Sequence, residues 1–146
     1  NLLNKEICET AARGMFVTML VGIYDSNKKE LLLSNAGHEP PLVIDKEQKF
    51  SNFSEAGPPL GITSKIKYKE TTTNFSDSSM YIFTDGITEI KSPSGDMLEV
   101  EGFQKYIKKY QHTPNNKRLK LMIEDIVKAG MIQKDDLTIV TVDSIQ

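Results

Sequence analysis

Carboxylate side chains stand at the ends of two apolar runs of the sequence. Asp85 follows one run, and Asp135 and Asp136 directly precede another. A carboxylate at the end of a strand is held by the sheet but stays open to solvent, so the side chains converge if the two strands are neighbours with matching ends. Oxygen ligands without Cys or His favour hard cations such as Mg²⁺ or Mn²⁺. The alternative is that each aspartate only forms a turn.

The runs that would position these carboxylates have the composition of β-strands. Residues 15–24 are apolar on both faces, which predicts a strand buried in the middle of a layered fold. A polar turn at 25–29 and the run 30–35 complete a predicted hairpin. Further strands are predicted at 42–45, 65–75 (an exposed edge strand), 79–84 and 137–143.

Helical spacing of apolar residues appears in three segments. Residues 1–10 read as the end of an amphipathic helix that stops around Arg13 and Gly14. The segments 101–110 and 116–129 are helical by spacing, and Gly130 closes the second. The second helix is predicted to bury one stripe: Leu119, Met122, Ile123, Ile126 and Val127. Consecutive strands, then two helices and a last strand, predict an α+β fold with antiparallel sheet.

Length and composition exclude several classes of protein. The chain has 146 residues, about one domain, and 38% of them are hydrophobic, so it can bury a core. Lys and Arg total 18 against 20 Asp and Glu, so no basic face is available for nucleic acid. No apolar run approaches the ~20 residues that span a bilayer, which argues against membrane contact by this domain. The lone Cys8 predicts a reducing compartment, the cytoplasm.

Four segments of the chain occur in the order and spacing of a known family: residues 35–41 (NAGHEPP), 57–62 (GPPLGI), 81–89 (YIFTDGITE) and 134–140 (KDDLTIV). The chain resembles the bacterial stage II sporulation E-type branch of the metal-dependent serine/threonine protein phosphatases, the type 2C superfamily. The resemblance extends from residue 1 to about residue 143. It implies an antiparallel β-sandwich flanked by helices.

The resemblance also implies which residues act. In the family, the aspartate of the Thr-Asp-Gly motif binds a metal, which here is Asp85, and the first aspartate of the Asp-Asp-x-Thr motif is a second ligand, which here is Asp135. Asp136 then supports the turn and is a candidate site-adjacent residue. The implied reaction is hydrolysis of phosphoserine or phosphothreonine by a water that two Mn²⁺ or Mg²⁺ ions activate. The implied substrate is a phosphorylated anti-anti-sigma-type regulator.

Other residues of these motifs have two interpretations each. His38 either stabilises its turn or lies next to the site, and Glu89 either binds a metal-bound water or caps the turn after Asp85. Gly86 is a candidate site-adjacent residue because it follows the ligand directly. No catalytic residue is expected beyond the metal ligands.

The chain departs from the family at its beginning. The family's domain opens with strands and a helix that contribute an acidic residue and a Gly-Asp-Val-x-Gly-x-Gly motif, and residues 1–20 contain nothing of that kind. We therefore expect residues 1–146 to be one domain truncated on its N-terminal side. Its two-metal site would be incomplete, its activity alone weak or absent, and its parent protein could be tethered to a membrane upstream.

Two further expectations follow from that departure. The alternative function is a non-catalytic, phosphatase-like module for regulation or dimerisation, which the missing ligand motif supports. A sheet edge left uncovered by truncation would favour a homodimer or aggregation.

Overall fold

The computed structural model describes residues 1–12, 14–51, 53, 55–132 and 135–144. These residues form helices and strands in an α+β order, with antiparallel pairing in the sheets. The elements are α1 (Leu2–Thr10), β1 (Met19–Asp25), β2 (Glu30–Ala36), β3 (Leu42–Ile44), β4 (Phe50–Ser51), β5 (Thr71–Asn74), β6 (Ser79–Phe83), α2 (Asp85–Thr88), α3 (Glu99–Tyr110), α4 (Asn115–Lys128) and β7 (Ile139–Asp143).

The chain divides into two compact units. The first unit comprises Asn1–Met80 with Val142–Gln146, and the second comprises Tyr81–Thr141. The division passes through β6 and β7, so each unit holds part of both strands.

The predicted hairpin is confirmed as β1 and β2 of the first unit. The two strands pair antiparallel from Met19 opposite Ala36 to Asp25 opposite Glu30. The Asp25 carboxylate accepts hydrogen bonds from the amides of Asn27 and Lys28, at 3.0 Å each, as aspartate does in tight turns. β5 pairs with the other edge of β2, giving a three-stranded sheet in the order β1-β2-β5. The predicted edge strand at 65–75 is therefore confirmed only for Thr71–Asn74.

The prediction that residues 15–24 are buried on both faces is wrong. The strand begins only at Met19, and its middle residues are exposed, Ile23 at 63% of its surface. Met15 and Phe16 are exposed as well. The reason is position, since β1 is the last strand of its sheet and no strand of the described chain pairs with its outer edge.

Helix α1 is attached to the Gly-Pro-Pro-Leu-Gly loop of the first unit through a buried asparagine. The Asn4 side chain donates to the carbonyl of Thr63 at 2.9 Å and accepts from the amide of Gly61 at 3.0 Å. Both polar ends of a buried amide are thus satisfied, so Asn4 can stand where an apolar residue would otherwise pack. The helix ends at Thr10, a few residues before the stop predicted at Arg13 and Gly14. Gly14 has the positive φ, 85°, that favours glycine, and Arg13 lies outside the described residues.

The second sheet has four strands in the order β4-β3-β6-β7. Thr84 bonds to Thr138 at one end of the β6–β7 pair, and Ser144 bonds to Ser78 at the other, so these two strands run antiparallel. Strand β6 is largely buried, as predicted for residues 79–84.

The core of the second unit forms around Phe103 of α3. Its ring packs edge-to-face against Phe83, with ring centroids 5.1 Å apart, and also against Tyr81. In α4, Met122 and Ile126 are buried as predicted, and Gly130 follows the helix with a φ of 73°.

The predicted apolar stripe of α4 is wrong at Val127, which is 63% exposed. Arg118 is buried on this helix instead. Its guanidinium donates to the Thr113 carbonyl at 3.2 Å and to the Tyr81 hydroxyl at 3.3 Å. A charged side chain can be buried here because its donors meet oxygen atoms. None of the helices in the described ranges is long and apolar enough to cross a membrane.

Candidate functional site

The first aspartate, Asp85, lies where β6 gives way to the short helix α2. Thr84 has extended backbone angles, φ −95° and ψ 160°, and Asp85 is the first residue of the helix. The Asp85 carbonyl accepts hydrogen bonds from the Glu89 amide at 2.9 Å and the Thr88 hydroxyl at 3.0 Å. The main chain of Asp85 is therefore fixed, and the residue itself is exposed.

The second acidic pair lies just before β7. The Asp135 carboxylate accepts a hydrogen bond from the amide of Asp136 at 2.7 Å, within a bend of the chain. Both residues are exposed. One carboxylate oxygen of Asp135 is thus engaged by the main chain of its own segment.

Hydrogen bonds join these two chain segments through Thr84. Its amide donates to the Thr138 carbonyl at 3.1 Å, and its hydroxyl accepts from the Thr138 amide at 3.1 Å. The hydroxyl also donates to the Asp136 carbonyl over a longer distance, 3.4 Å. The residue before Asp85 is therefore attached to the segment that follows Asp135.

Gly86 brings the main chains of the two segments into direct contact. A Cβ atom added to this buried glycine would lie 2.2 Å from the Asp136 carbonyl oxygen and 3.4 Å from the Leu137 Cα. Carbon and oxygen atoms that are not bonded to each other do not approach to 2.2 Å, and main-chain atoms have little freedom to move. Any side chain at position 86 would therefore push the two acidic segments apart.

The donor atoms fit a hard cation in kind. Asp85 and Asp135 offer carboxylate oxygens, the ligands that Mg²⁺ and Mn²⁺ prefer, and both are open to solvent for the water ligands that such ions retain. Within the described residues, no three Asp, Glu, His or Cys side chains gather into a group that could hold a metal ion. Asp85 and Asp135 thus have the ligand atoms for part of a metal site.

His38 belongs to the first unit, whereas the aspartates belong to the second. Its ring Nδ1 lies 2.9 Å from the carbonyl of Glu39, and its main chain is bonded on both sides by Asn35. The Asn35 amide group donates to the His38 carbonyl and its oxygen accepts from the His38 amide, each at 2.9 Å. These contacts support the turn-stabilising interpretation of His38.

Glu89 lies at the end of α2, where its amide bonds to the Asp85 carbonyl. The cap contact comes from the main chain, so it does not require a glutamate side chain. The Glu89 carboxylate is exposed in the same unit as Asp85, and both interpretations of its side chain stay open.

No functional role was predicted for Thr84 or Thr138 from the sequence. The available signal was a hydroxyl residue directly before Asp85 and another two residues after Asp136. Only the hydrogen bonds between the two segments show that these residues meet.

A family model described as stage II sporulation protein E (SpoIIE) matches residues 1–144. The chain belongs to the SpoIIE family. The resemblance seen in the sequence motifs is thereby confirmed.

One curated relative of this SpoIIE-family chain is the phosphoserine phosphatase RsbU of Bacillus subtilis (strain 168). The two are 28% identical over 141 residues, which make up 94% of this chain and 42% of RsbU. This chain therefore spans less than half of that relative's length.

Two solved structures of similar fold are phosphatase domains. The SiaA-PP2C domain of Pseudomonas aeruginosa matches with a TM-score of 0.78 at 14% identity, covering 96% of this chain and 57% of that one. The phosphatase domain of SpoIIE from Bacillus subtilis, presoaked with Mn, matches with a TM-score of 0.65 at 16% identity. The match covers 97% of this chain and 70% of that one. At these identities the matches establish the fold, and the predicted α+β, type 2C phosphatase-like class is confirmed.

Proposed function

We propose that this chain supplies part of the metal site of a protein serine/threonine phosphatase that hydrolyses phosphoserine or phosphothreonine on a signalling protein. The observation that carries the proposal is the joining of the Asp85 and Asp135 segments by Thr84 and Gly86. Family membership and the phosphoserine phosphatase RsbU among its relatives support the reaction class.

Asp85 and Asp135 would hold Mn²⁺ or Mg²⁺. When bound, the ions supply an activated water nucleophile and neutralise charge on the phosphoryl oxygens. The chain's own contribution is to fix the main chain that carries the two carboxylates at the ends of hydrogen-bonded strands, which limits the reorganisation needed on binding. The presoaking of the SpoIIE phosphatase domain with Mn supports manganese as the first ion to test.

The substrate we propose is a phosphorylated regulator of the anti-anti-sigma type, in line with the family. The net charge of −2 means that the chain as a whole does not attract a phosphoprotein electrostatically. Bound cations would supply the local positive charge for the phosphoryl group, which fits a metal-dependent reaction.

The test is phosphate release from phosphoserine protein by the full-length gene product, with Mn²⁺, with Mg²⁺ and with EDTA. We expect release only with metal, and a loss of at least a hundredfold in Asp85→Asn and in Asp135→Asn, because each change removes a charged ligand. Glu101→Gln removes an exposed carboxylate from the same unit and should leave the rate unchanged. Full activity in either aspartate variant would contradict the ligand assignment.

The alternative is a non-catalytic module that retains the fold for regulation or dimerisation. It is favoured by the lack, within the described residues, of any cluster of three metal-ligating side chains. A full-length protein that binds neither Mn²⁺ nor Mg²⁺ in calorimetry would support this alternative over the phosphatase.

A further inference from the structure

We propose that Thr84 is a positioning residue whose hydroxyl sets the separation of Asp85 from Asp135 and thereby the affinity for metal. The inference rests on the proposed function, since it takes these two aspartates as ligands. It concerns a side chain that forms hydrogen bonds to the main chain of Asp136 and Thr138.

The hydroxyl of Thr84 replaces a main-chain acceptor. In an antiparallel ladder, two opposed residues exchange both of their N–H and C=O groups. Thr84 donates its amide to the Thr138 carbonyl in the usual way, but the Thr138 amide bonds to the Thr84 hydroxyl. The Thr84 carbonyl instead accepts from the Ile87 amide at 3.2 Å, within the turn that begins α2.

This exchange allows the start of α2 and the end of the β6–β7 pairing to meet at Thr84. The main chain turns into α2 at Asp85 while the pairing of β6 with β7 continues to Thr138. Without the hydroxyl, the Thr138 amide would lose its partner, or the Thr84 carbonyl would have to leave the turn. Either change loosens the link between Asp85 and the segment that carries Asp135.

Gly86 supports the same positioning from the other side. A Cβ at position 86 would overlap the Asp136 carbonyl oxygen, so the main chains of the two segments already lie close together here. The Thr84 hydroxyl resists their separation, and the packed main chains resist their approach. A fixed separation of ligands is what a small cation requires, because Mg²⁺ tolerates little deviation from octahedral geometry.

The experiment is calorimetric titration of the full-length protein with Mn²⁺, comparing Thr84→Val with Thr84→Ser. Valine keeps the shape of threonine without the hydroxyl, whereas serine keeps the hydroxyl. We expect Mn²⁺ affinity to fall roughly ten- to hundredfold in Thr84→Val, the usual cost of losing a residue that orients a ligand, and to stay within about threefold of wild type in Thr84→Ser. Thr141→Val makes the same chemical change on β7 and should leave the affinity unchanged.

A second readout separates positioning from general destabilisation. With the metal concentration raised, Thr84→Val should recover most of the wild-type rate of phosphate release, while Asp85→Asn should not. Thr84→Ala removes the same hydroxyl and replaces the valine variant if circular dichroism shows that the latter is unfolded.

The outcomes distinguish this inference from the proposed function. Wild-type affinity in a folded Thr84→Val, together with lost affinity in Asp85→Asn, overturns the role of Thr84 and leaves the metal site intact. An equal loss of Mn²⁺ affinity in Thr84→Ser and Thr84→Val also overturns the role of Thr84. A wild-type protein that binds no Mn²⁺ overturns both.

Discussion

At the scale of single residues, the candidate site depends as much on small and uncharged groups as on its carboxylates. Asp85 and Asp135 are exposed, and the Asp135 carboxylate accepts a hydrogen bond from the amide of the next residue, Asp136. The main chains are joined by Thr84 and by the close approach at Gly86. A Thr-Asp-Gly sequence thus has a physical reason at every position: a hydroxyl that continues the strand pairing, the ligand that we propose, and a residue without Cβ.

Gly86→Ala is the sharpest test of that close approach. The added Cβ would meet the Asp136 carbonyl oxygen at 2.2 Å, so the turn before β7 must move. Overpacking of this kind typically costs about 1–3 kcal/mol of stability, and we expect weaker Mn²⁺ binding as well. Urea unfolding and calorimetric titration measure the two effects.

Gly22→Ala is the matched control for that variant. There the nearest atom to an added Cβ is the end of the Leu33 side chain at 3.0 Å, which can shift. We expect its Mn²⁺ affinity to equal that of wild type. Equal affinity in Gly86→Ala would show that the contact at position 86 does not position the ligands.

At the scale of elements, much of the architecture was predictable because its signals are local. The hairpin has apolar runs on both sides of a polar turn, β6 is a short apolar strand, and α3 and α4 show helical spacing. Helix α2 was not predicted, because four residues are too few to show a period of 3.6. The exposure of β1 was not predicted either, because a strand's place at the edge of its sheet depends on pairing with residues far away in the chain.

The candidate site was predictable to the same extent. The positions of Asp85 and Asp135 beside strands follow from local sequence, whereas the roles of Thr84 and Gly86 depend on contacts with residues about fifty positions later in the chain. One sequence does not reveal such a register. The burial of Arg118 was missed for a similar reason, since one of its partners, Tyr81, lies on β6.

An ion pair between α3 and α4 gives the second unit a predictable dependence on pH. Lys109 donates a hydrogen bond of 2.6 Å to the Asp125 carboxylate, and this bond is the chief reason that the pKa of Asp125 lies below its ordinary value. The same bond is the chief reason that the pKa of Lys109 lies above its ordinary value.

We therefore expect Asp125→Asn to lower the free energy of unfolding slightly at pH 7. A carboxylate with a depressed folded pKa stabilises the protein above its unfolded pKa, about 3.9, and that contribution disappears as the pH falls through the folded pKa. The difference between wild type and Asp125→Asn in urea unfolding should accordingly shrink below about pH 4. On the alkaline side, the contribution of Lys109 is complete below its unfolded pKa, about 10.4, and is lost as the pH rises through the folded pKa.

Glu124→Gln serves as the control on the same helix. Its partner Lys120 lies 3.9 Å away in an exposed pair of residues four apart, and such pairs contribute little. We expect a smaller change than in Asp125→Asn. A difference for Asp125→Asn that stayed constant from pH 7 to pH 3 would show that the ion pair is not its cause.

At the scale of the whole molecule, the outer edge of β1 is the surface most prone to association. No charged residue occurs from Gly14 to Tyr24, although natural edge strands usually carry lysine, proline or other charges that discourage pairing. Val21 and Ile23, which point to the same face, are 48% and 63% exposed. By contrast, β7, the last strand of the other sheet, follows two aspartates and ends in a third.

We expect this chain to self-associate through antiparallel pairing of β1 with β1 of a second copy, because the two edges would satisfy each other's main-chain groups and cover the exposed apolar side chains. Sedimentation velocity across a range of concentrations should show a dimer that gives way to monomer in Val21→Lys and in Ile23→Lys, since each change places a charge on the pairing face. Val127→Lys makes the same substitution at an equally exposed position on α4 and should leave the dimer unchanged. A monomer at every concentration in the unsubstituted chain would contradict the pairing, and dissociation by Val127→Lys alone would move the interface to the helices.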